Sequence, residues 1–153
     1  MAEFKVYLHA SAFDKAREHF AKAFETGIEA MGLLVGEYYS NDGGFLLVSD
    51  YVTADNQATS VSVRFEESAF SAIAGELLAR IDSSFVVGWA HSHPGYGCHL
   101  SSTDLDTQKT YFNEEYHVAL VIDPSTNDAK VFKLDGDDYK EVSFAVVRKK
   151  NGV

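Results

Sequence analysis

The sequence predicts a single α/β or α+β domain in which about three helices surround a mixed β-sheet. Segments of strand length with alternating or continuous apolar residues recur along the chain, and three segments with helical features lie between them. The 153 residues, of which 46% are hydrophobic and 24% charged, are enough for one domain with its own core. No internal repeat, low-complexity segment or linker divides the chain.

The chain opens with a predicted strand and a predicted helix. "EFKVYLHA", over 3–10, alternates apolar and polar residues as a half-buried strand does. Residues 11–27 then have apolar side chains at helical spacing. Ser11 and Asp14 are candidate N-caps of this helix, and Gly27 is the candidate residue at its end.

The remaining elements are predicted from apolar patterns and turn signals. An Asp-Gly pair between two apolar segments favours a β-hairpin, and acidic residues followed by a terminal Arg favour a second helix. In chain order we predict a hairpin over 30–39 and 43–52, a strand over 59–65, a helix over 66–82, a strand over 84–93, a helix over 101–115, and closing strands over 116–124, 129–134 and 139–147.

Composition excludes several classes of function. The formal net charge of −10 argues against nucleic acid as a partner, because such binding begins with Lys and Arg on phosphates. No apolar run is long enough to cross a membrane and no signal peptide is recognised, so we expect a soluble, cytoplasmic protein. Cys98 is the only cysteine, which rules out an internal disulfide. The expected domain is 1–147, followed by a short basic tail over 148–153.

Residues 88–108 contain three of the six histidines, the only tryptophan and the only cysteine. His91 and His93 lie two apart at the end of a predicted strand, so their side chains point to the same face. Pro94 and Gly95 end that strand and place the pair at the rim of the sheet. Two imidazoles on one face can hold one metal ion. The same pattern is equally typical of two polar residues leaving the core.

Ser101 and Asp104 have the spacing of a capping box, in which each side chain accepts a hydrogen bond from a backbone amide at a helix start. Spacing alone favours capping, although Asp104 can also face a metal held by the preceding strand. Two histidines, one carboxylate and an open position are typical of a catalytic zinc site. Such a site needs a general base, and Glu25, Glu29 and Glu37 are all candidates by pattern.

The motif "HSHPGYGCHLSSTDLDTQ" resembles the signature of the JAMM metalloproteases, also called MPN+ domains. That signature pairs His-x-His with a Ser-x-x-Asp that begins eight residues later. The sequence is most similar to the branch containing the proteasome-lid deubiquitinase and the signalosome deneddylase. "IEAMGLLVGEYY" resembles the family's Glu-bearing segment, and "HVALVIDPSTNDAKVFKL" resembles the strands that follow its site. The resemblance implies a single MPN domain with a mixed, curved sheet.

The resemblance also implies a role for each matching residue. His91, His93 and Asp104 would bind one Zn²⁺ per chain. Glu29 would hydrogen-bond the zinc water and act first as general base and then as general acid. Ser101 would hydrogen-bond the oxyanion that develops during attack. The implied activity is that of an isopeptidase that removes ubiquitin or a ubiquitin-like modifier from its conjugates, with a proteasome-like or activating partner.

Two further residues of the motif need an interpretation, and two other functions remain as alternatives. His99 departs from the family, whose members usually have Trp beside the path of the substrate tail, and we predict that it contacts substrate. Cys98 is interpreted as a packed structural thiol rather than a nucleophile, since the adjacent His99 is poorly placed to activate it. The alternative functions are a non-catalytic MPN scaffold within a larger complex and a hydrolase of a small sulfur-carrier conjugate.

Overall fold

The structure of the protein is a computed structural model. It describes residues 4–40, 43–53, 85–93, 95 and 97–148. The predicted strand over 59–65 and the predicted helix over 66–82 lie outside these residues, as does most of the basic tail. The described residues form no helix that is long and apolar enough to cross a membrane.

Strands and helices succeed one another in the order expected of an α+β domain. The elements are β1 (Lys5–His9), α1 (Ala10–Glu25), β2 (Met31–Tyr39), β3 (Phe45–Val52), β4 (Phe85–Ser92), α2 (Ser102–Tyr111), β5 (Val118–Asp123), β6 (Asp128–Asp135), β7 (Asp138–Val142) and β8 (Phe144–Val147). The described residues therefore contain two of the about three helices that were predicted.

All eight described strands form one sheet in the order β7-β6-β5-β4-β2-β3-β1-β8. The sheet is mixed, as predicted: β1 runs parallel to β3 and β8, β4 runs parallel to β5, and the other neighbours are antiparallel. The predicted hairpin is confirmed as the antiparallel pair β2 and β3. At the centre of the sheet, β4 lies between β2 and β5.

The single strand predicted over 139–147 is wrong. The structure has two strands there, and they lie at opposite edges of the sheet, because β7 pairs with β6 whereas β8 pairs with β1. Only Ser143 separates the two strands, so the two edges must approach each other and the sheet must curl. The apolar pattern of the sequence continues across Ser143. Such a pattern does not show where the chain changes its partner strand, so the two strands were predicted as one.

The central strands of the sheet are buried on both faces. Ala16 and Phe20 of α1 pack on one face together with Leu34, while the neighbouring Leu33 packs on the other face with Phe112. Successive side chains of a strand point to opposite faces, so a strand covered on both sides contains continuous apolar residues. This explains the uninterrupted apolar runs of β2 and β5, which sequence periodicity alone cannot distinguish from buried helix.

The N-terminus of α1 differs from the prediction, whereas its C-terminus agrees with it. β1 runs directly into the helix, so the N-cap is His9, which makes no side-chain capping bond, and neither Ser11 nor Asp14 is the cap. Gly27 ends the helix as predicted: its φ is 73° and its N–H donates to the carbonyl of Phe24. The chain then turns toward β2.

Gly88 allows the backbones of β4 and β5 to pack closely. A Cβ atom at this position would lie 2.0 Å from the carbonyl oxygen of Val118, its partner in β5. We expect Gly88→Ala to lower the free energy of unfolding by about 3 kcal/mol or more, because backbone in the sheet centre cannot move aside. Urea denaturation measures this loss. In the control Gly136→Ala, where a Cβ meets nothing within 4 Å and only the positive φ is strained, we expect about 1 kcal/mol. Equal losses would contradict the steric explanation.

Candidate metal centre

The end of β4 places two histidine side chains together. His91 belongs to the strand, and His93 follows its last residue, so the two share the face that strand periodicity predicts. The backbone N–H of His93 still donates to the carbonyl of Ile122 in β5, at 3.0 Å. Both side chains are buried. The pair is therefore held by β-sheet bonding on a rigid part of the fold.

Cross-strand bonding brings Glu29 to the same place. Met31 of β2 lies opposite His91 in the β2–β4 register. Ala30 is fixed by two bonds to Ser92: its N–H donates to the Ser92 hydroxyl at 2.9 Å, and its carbonyl accepts from the Ser92 N–H at 3.0 Å. Glu29 is the next residue and is only 4% exposed. Its position beside the histidines thus follows from strand pairing.

The start of α2 supplies a carboxylate. The backbone N–H of Asp104 donates to the Ser101 hydroxyl at 3.1 Å, and Asp104 Oδ2 accepts from the Ser101 N–H at 2.9 Å. The capping box predicted from the Ser-x-x-Asp spacing is confirmed. The same bonds hold the Asp104 carboxylate toward the two histidines, so capping and a role at the site coexist.

His91, His93 and Asp104 direct one atom each at a common point. The distances are 3.0 Å between the two Nε2 atoms, 2.9 Å from His93 Nε2 to Asp104 Oδ2, and 3.1 Å from His91 Nε2 to the same oxygen. Zinc with tetrahedral bonds of about 2.0–2.1 Å would separate its ligand atoms by roughly 3.3 Å. The triangle fits such an ion with an adjustment of a few tenths of an ångström, and its donors are those of a catalytic zinc site.

The electrostatics of the triangle suit a divalent cation. Burial lowers the pKa of His91 below its ordinary value, so this imidazole is neutral. For Asp104 burial acts to raise the pKa, but hydrogen bonds with His91 and His93 outweigh it, and the pKa lies well below its usual range. Burial opposes protonation of His93, while hydrogen bonding to Asp104 and the charges of Asp104 and Glu29 raise its pKa. A metal ion must therefore displace a proton from His93 when it binds in mildly acidic solution.

Glu29 is the second buried acid of the centre. Burial raises its pKa to about 7, with His93 lowering and Asp104 raising it. Its Oε2 atom is buried and has no hydrogen-bond partner among the described residues; the same holds for His91 Nδ1. Buried polar atoms are rarely left unpaired unless a water or ion belongs beside them. This observation also fits a metal site with a water near Glu29.

Comparison with known proteins identifies the family. A family model described as JAB1/Mov34/MPN/PAD-1 ubiquitin protease matches residues 2–115. The chain belongs to this family. The predicted JAMM/MPN membership is thus confirmed, and with it the single MPN fold.

Similar proteins include subunits of large complexes. Over 121 residues the MPN chain is 36% identical to ubiquitin carboxyl-terminal hydrolase RPN11 of Saccharomyces cerevisiae, which covers 78% of this chain and 38% of that protein. It is 39% identical over 99 residues to COP9 signalosome complex subunit 5 of Kluyveromyces lactis, covering 63% and 26%. The chain thus spans less than two-fifths of the length of these relatives. The solution structure of protein DSY2949 from Desulfitobacterium hafniense has the same fold, with a TM-score of 0.66, 95% coverage of both chains and 18% identity.

A buried aromatic stack supports His91 in this MPN domain. The His91 ring stacks on Trp89 at 4.4 Å, and Trp89 stacks on Phe112 at 5.7 Å. The Trp89 indole N–H donates to Gln108 Oε1 at 2.6 Å, and Gln108 Nε2 donates to the Phe112 carbonyl at 3.1 Å. Trp89 is a fully buried core residue. The supporting role of Gln108 was not predicted. Its only signal in the sequence is a polar side chain four positions after Asp104 on the predicted helix.

The other candidates of the motif lie around the MPN centre. His99 is exposed, and its ring centroid lies 4.9 Å from that of His93. Cys98 donates to the Asp128 carbonyl at 3.4 Å, and burial raises its pKa to about 11, as a structural thiol requires. Of the alternative bases, Glu25 is exposed at the end of α1, and Glu37 accepts a hydrogen bond from Tyr39 near the end of β2. Only Glu29 lies at the triangle.

Proposed function

We propose that this MPN domain, with the expected limits 1–147, is a zinc-dependent isopeptidase that removes ubiquitin or a ubiquitin-like modifier from its conjugates. The observation that carries the proposal is the buried triangle of His91, His93 and Asp104 with Glu29 beside it, whose Oε2 atom has no hydrogen-bond partner in the described part of the chain. Its family membership and its similarity to a protein named as a ubiquitin carboxyl-terminal hydrolase support this substrate class.

His91, His93 and Asp104 would hold one Zn²⁺ per chain. When bound, zinc acts as a Lewis acid that makes water a nucleophile near neutral pH. Three protein ligands would be typical of a catalytic zinc site, whereas a structural zinc site has four. Neutral His91 and ionised Asp104 are already in the protonation states that metal binding requires.

Glu29 and Ser101 would do the remaining chemistry. The Glu29 carboxylate accepts the proton of the attacking water and then delivers it to the leaving lysine nitrogen. Ser101 is partly exposed, and its hydroxyl oxygen accepts the Asp104 N–H, a bond that does not use the hydroxyl hydrogen. That hydrogen can donate to the oxyanion formed at the scissile carbonyl.

His99 would contact the modifier tail as it enters the site. The residue is exposed and lies against His93, so a group bound beside it is also beside the metal ligands. A second protein could complete the enzyme, because the relatives include a proteasome regulatory subunit and a signalosome subunit. We propose that such a partner presents the conjugate or activates the domain.

The test combines metal content with cleavage. The protein is purified without added metal, its zinc per chain is counted, and it is assayed on a linear and a lysine-linked ubiquitin fusion. We expect one zinc per chain, cleavage that stops when a chelator removes the zinc, and recovery when zinc is restored. Cleavage that persists in fully metal-free protein contradicts the proposal. Bound zinc without cleavage of any ubiquitin-like fusion, alone or with a partner complex, would favour a non-catalytic scaffold.

A further inference from the structure

Asp123, the last residue of β5, has a buried carboxylate outside the metal triangle. It is 2% exposed, yet both of its oxygens are used. Oδ1 accepts from the Gly95 N–H at 3.0 Å and Oδ2 from the Gly97 N–H at 3.2 Å, while the N–H and hydroxyl of Ser125 also donate to Oδ1, at 2.9 and 2.5 Å. A buried charge is tolerated only when it is satisfied in this way. The carboxylate thus ties two glycines that follow β4 to the end of β5.

The two glycines are needed for their backbone conformation. Gly95 has φ 81° and Gly97 has φ 76°, in the left-handed region that residues with a side chain rarely adopt. A Cβ atom at either position would meet nothing within 4 Å, so space is not the reason for glycine. This conformation directs both N–H groups at Asp123. Gly95 and Gly97 therefore provide backbone donors for one buried anion.

Gly97 connects this carboxylate to a metal ligand. Its N–H donates to Asp123, and its carbonyl accepts from His93 Nδ1 at 3.3 Å. Because a carbonyl oxygen only accepts, His93 Nδ1 carries the hydrogen of this bond, and the bond sets the ring so that Nε2 is directed at the triangle. Such outer hydrogen bonds orient metal-ligating histidines and determine their tautomer. The His93 backbone is held by Ile122, the residue before Asp123, so ring and backbone share one anchor.

We propose that Asp123 is a positioning residue of the metal centre, which holds Gly97 so that its carbonyl binds His93 Nδ1 and keeps the ring oriented with Nε2 directed at the metal. His91 differs, because its Nδ1 has no hydrogen-bond partner within the described part of the chain. The inference rests on the proposed zinc site, but the bond between His93 Nδ1 and Gly97 is present in the protein without metal and is measured separately.

Asp123→Asn tests this role with little change of shape. The amide replaces one accepting oxygen with an N–H donor, which faces a glycine N–H and repels it. We expect zinc affinity, measured by competition with a chelator, to fall about 10–100-fold. In metal-free protein, NMR should show faster solvent exchange of the His93 Nδ1–H, because its bond to the Gly97 carbonyl is weakened. The control Asp128→Asn, an exposed acid at the start of β6, should change neither.

The outcomes separate a positioning role from a structural one. If Asp123→Asn lowers only the melting temperature and leaves zinc affinity and the solvent exchange of the His93 Nδ1–H as in wild type, the inference is wrong. If the Asp123 variant does not fold, Gly97→Ala takes its place. This variant disturbs the same link at an exposed residue, so it should also weaken zinc binding. Wild-type protein that binds no zinc contradicts the proposed function, whereas faster exchange of the His93 Nδ1–H in metal-free Asp123→Asn still supports the link to His93.

Discussion

Glu29→Gln is expected to lower the rate of isopeptide cleavage about 10²–10⁴-fold, the usual contribution of a general acid–base group. The amide has the shape of the carboxyl group but can neither accept the water's proton nor return it to the leaving nitrogen. Zinc content should not change, because Glu29 is not one of the three converging ligands. Initial rates on a ubiquitin fusion, with zinc counted in parallel, measure the effect. The matched control is Glu25→Gln, an exposed acid at the end of α1.

The same substitution should stabilise the metal-free fold at alkaline pH. The pKa of Glu29 is raised from 4.5 to about 7 in the folded state, mainly by burial. A raised pKa means that the stabilising contribution is full below pH 4.5 and is lost as the pH rises through 7, where the buried group must ionise. At pH 8 we expect Glu29→Gln to raise the free energy of unfolding by about 1–3 kcal/mol, and at pH 4 to change it little. Urea denaturation at both values checks the sign.

These two measurements test the assignment of Glu29 together. A variant that keeps wild-type cleavage would falsify the acid–base role. A variant that is inactive but gains no stability at pH 8 would mean that Glu29 is solvated in solution rather than buried as it is here. Loss of activity with gain of stability is typical of a group that is buried for its chemistry.

Asp104→Asn is expected to abolish zinc binding while α2 stays capped. The amide oxygen can still accept the Ser101 N–H, so the capping box is retained, but the anionic ligand is lost. Zinc affinity should fall by at least about 100-fold, more than the loss of an outer hydrogen bond to a ligand causes. Cleavage should disappear with the metal. Zinc per chain after dialysis against a calibrated chelator measures the effect.

Ser101→Ala is the matched control for this experiment. It removes the hydroxyl that accepts the Asp104 N–H, which should cost about 1 kcal/mol of stability. Zinc should remain bound, because Ser101 is not a ligand. The pair of variants thus separates the two roles of the Ser-x-x-Asp motif. Wild-type zinc affinity in Asp104→Asn would show that the metal centre is assigned to the wrong residues.

The sequence by itself determined the features that depend on local spacing. Residues two apart on a strand share a face, which predicted that His91 and His93 point together. Residues three apart at a helix start form a capping box, which predicted the bonds between Ser101 and Asp104. The hairpin β2–β3 followed from its turn. Each of these relations joins residues close in the chain, so periodicity and turn chemistry are enough to establish it.

The tertiary structure alone decided which distant residues meet. By pattern Glu25, Glu29 and Glu37 were all candidates and only the family resemblance favoured Glu29; the β2–β4 register, with Met31 opposite His91, is the physical reason that Glu29 lies at the centre. The same reason explains the misread strand at 139–147, where consecutive segments join opposite sheet edges. It also explains the unforeseen contacts of Asp123. Strand partners far apart in the chain are selected by the packing of the whole sheet, and the apolar pattern of one segment does not name its partner.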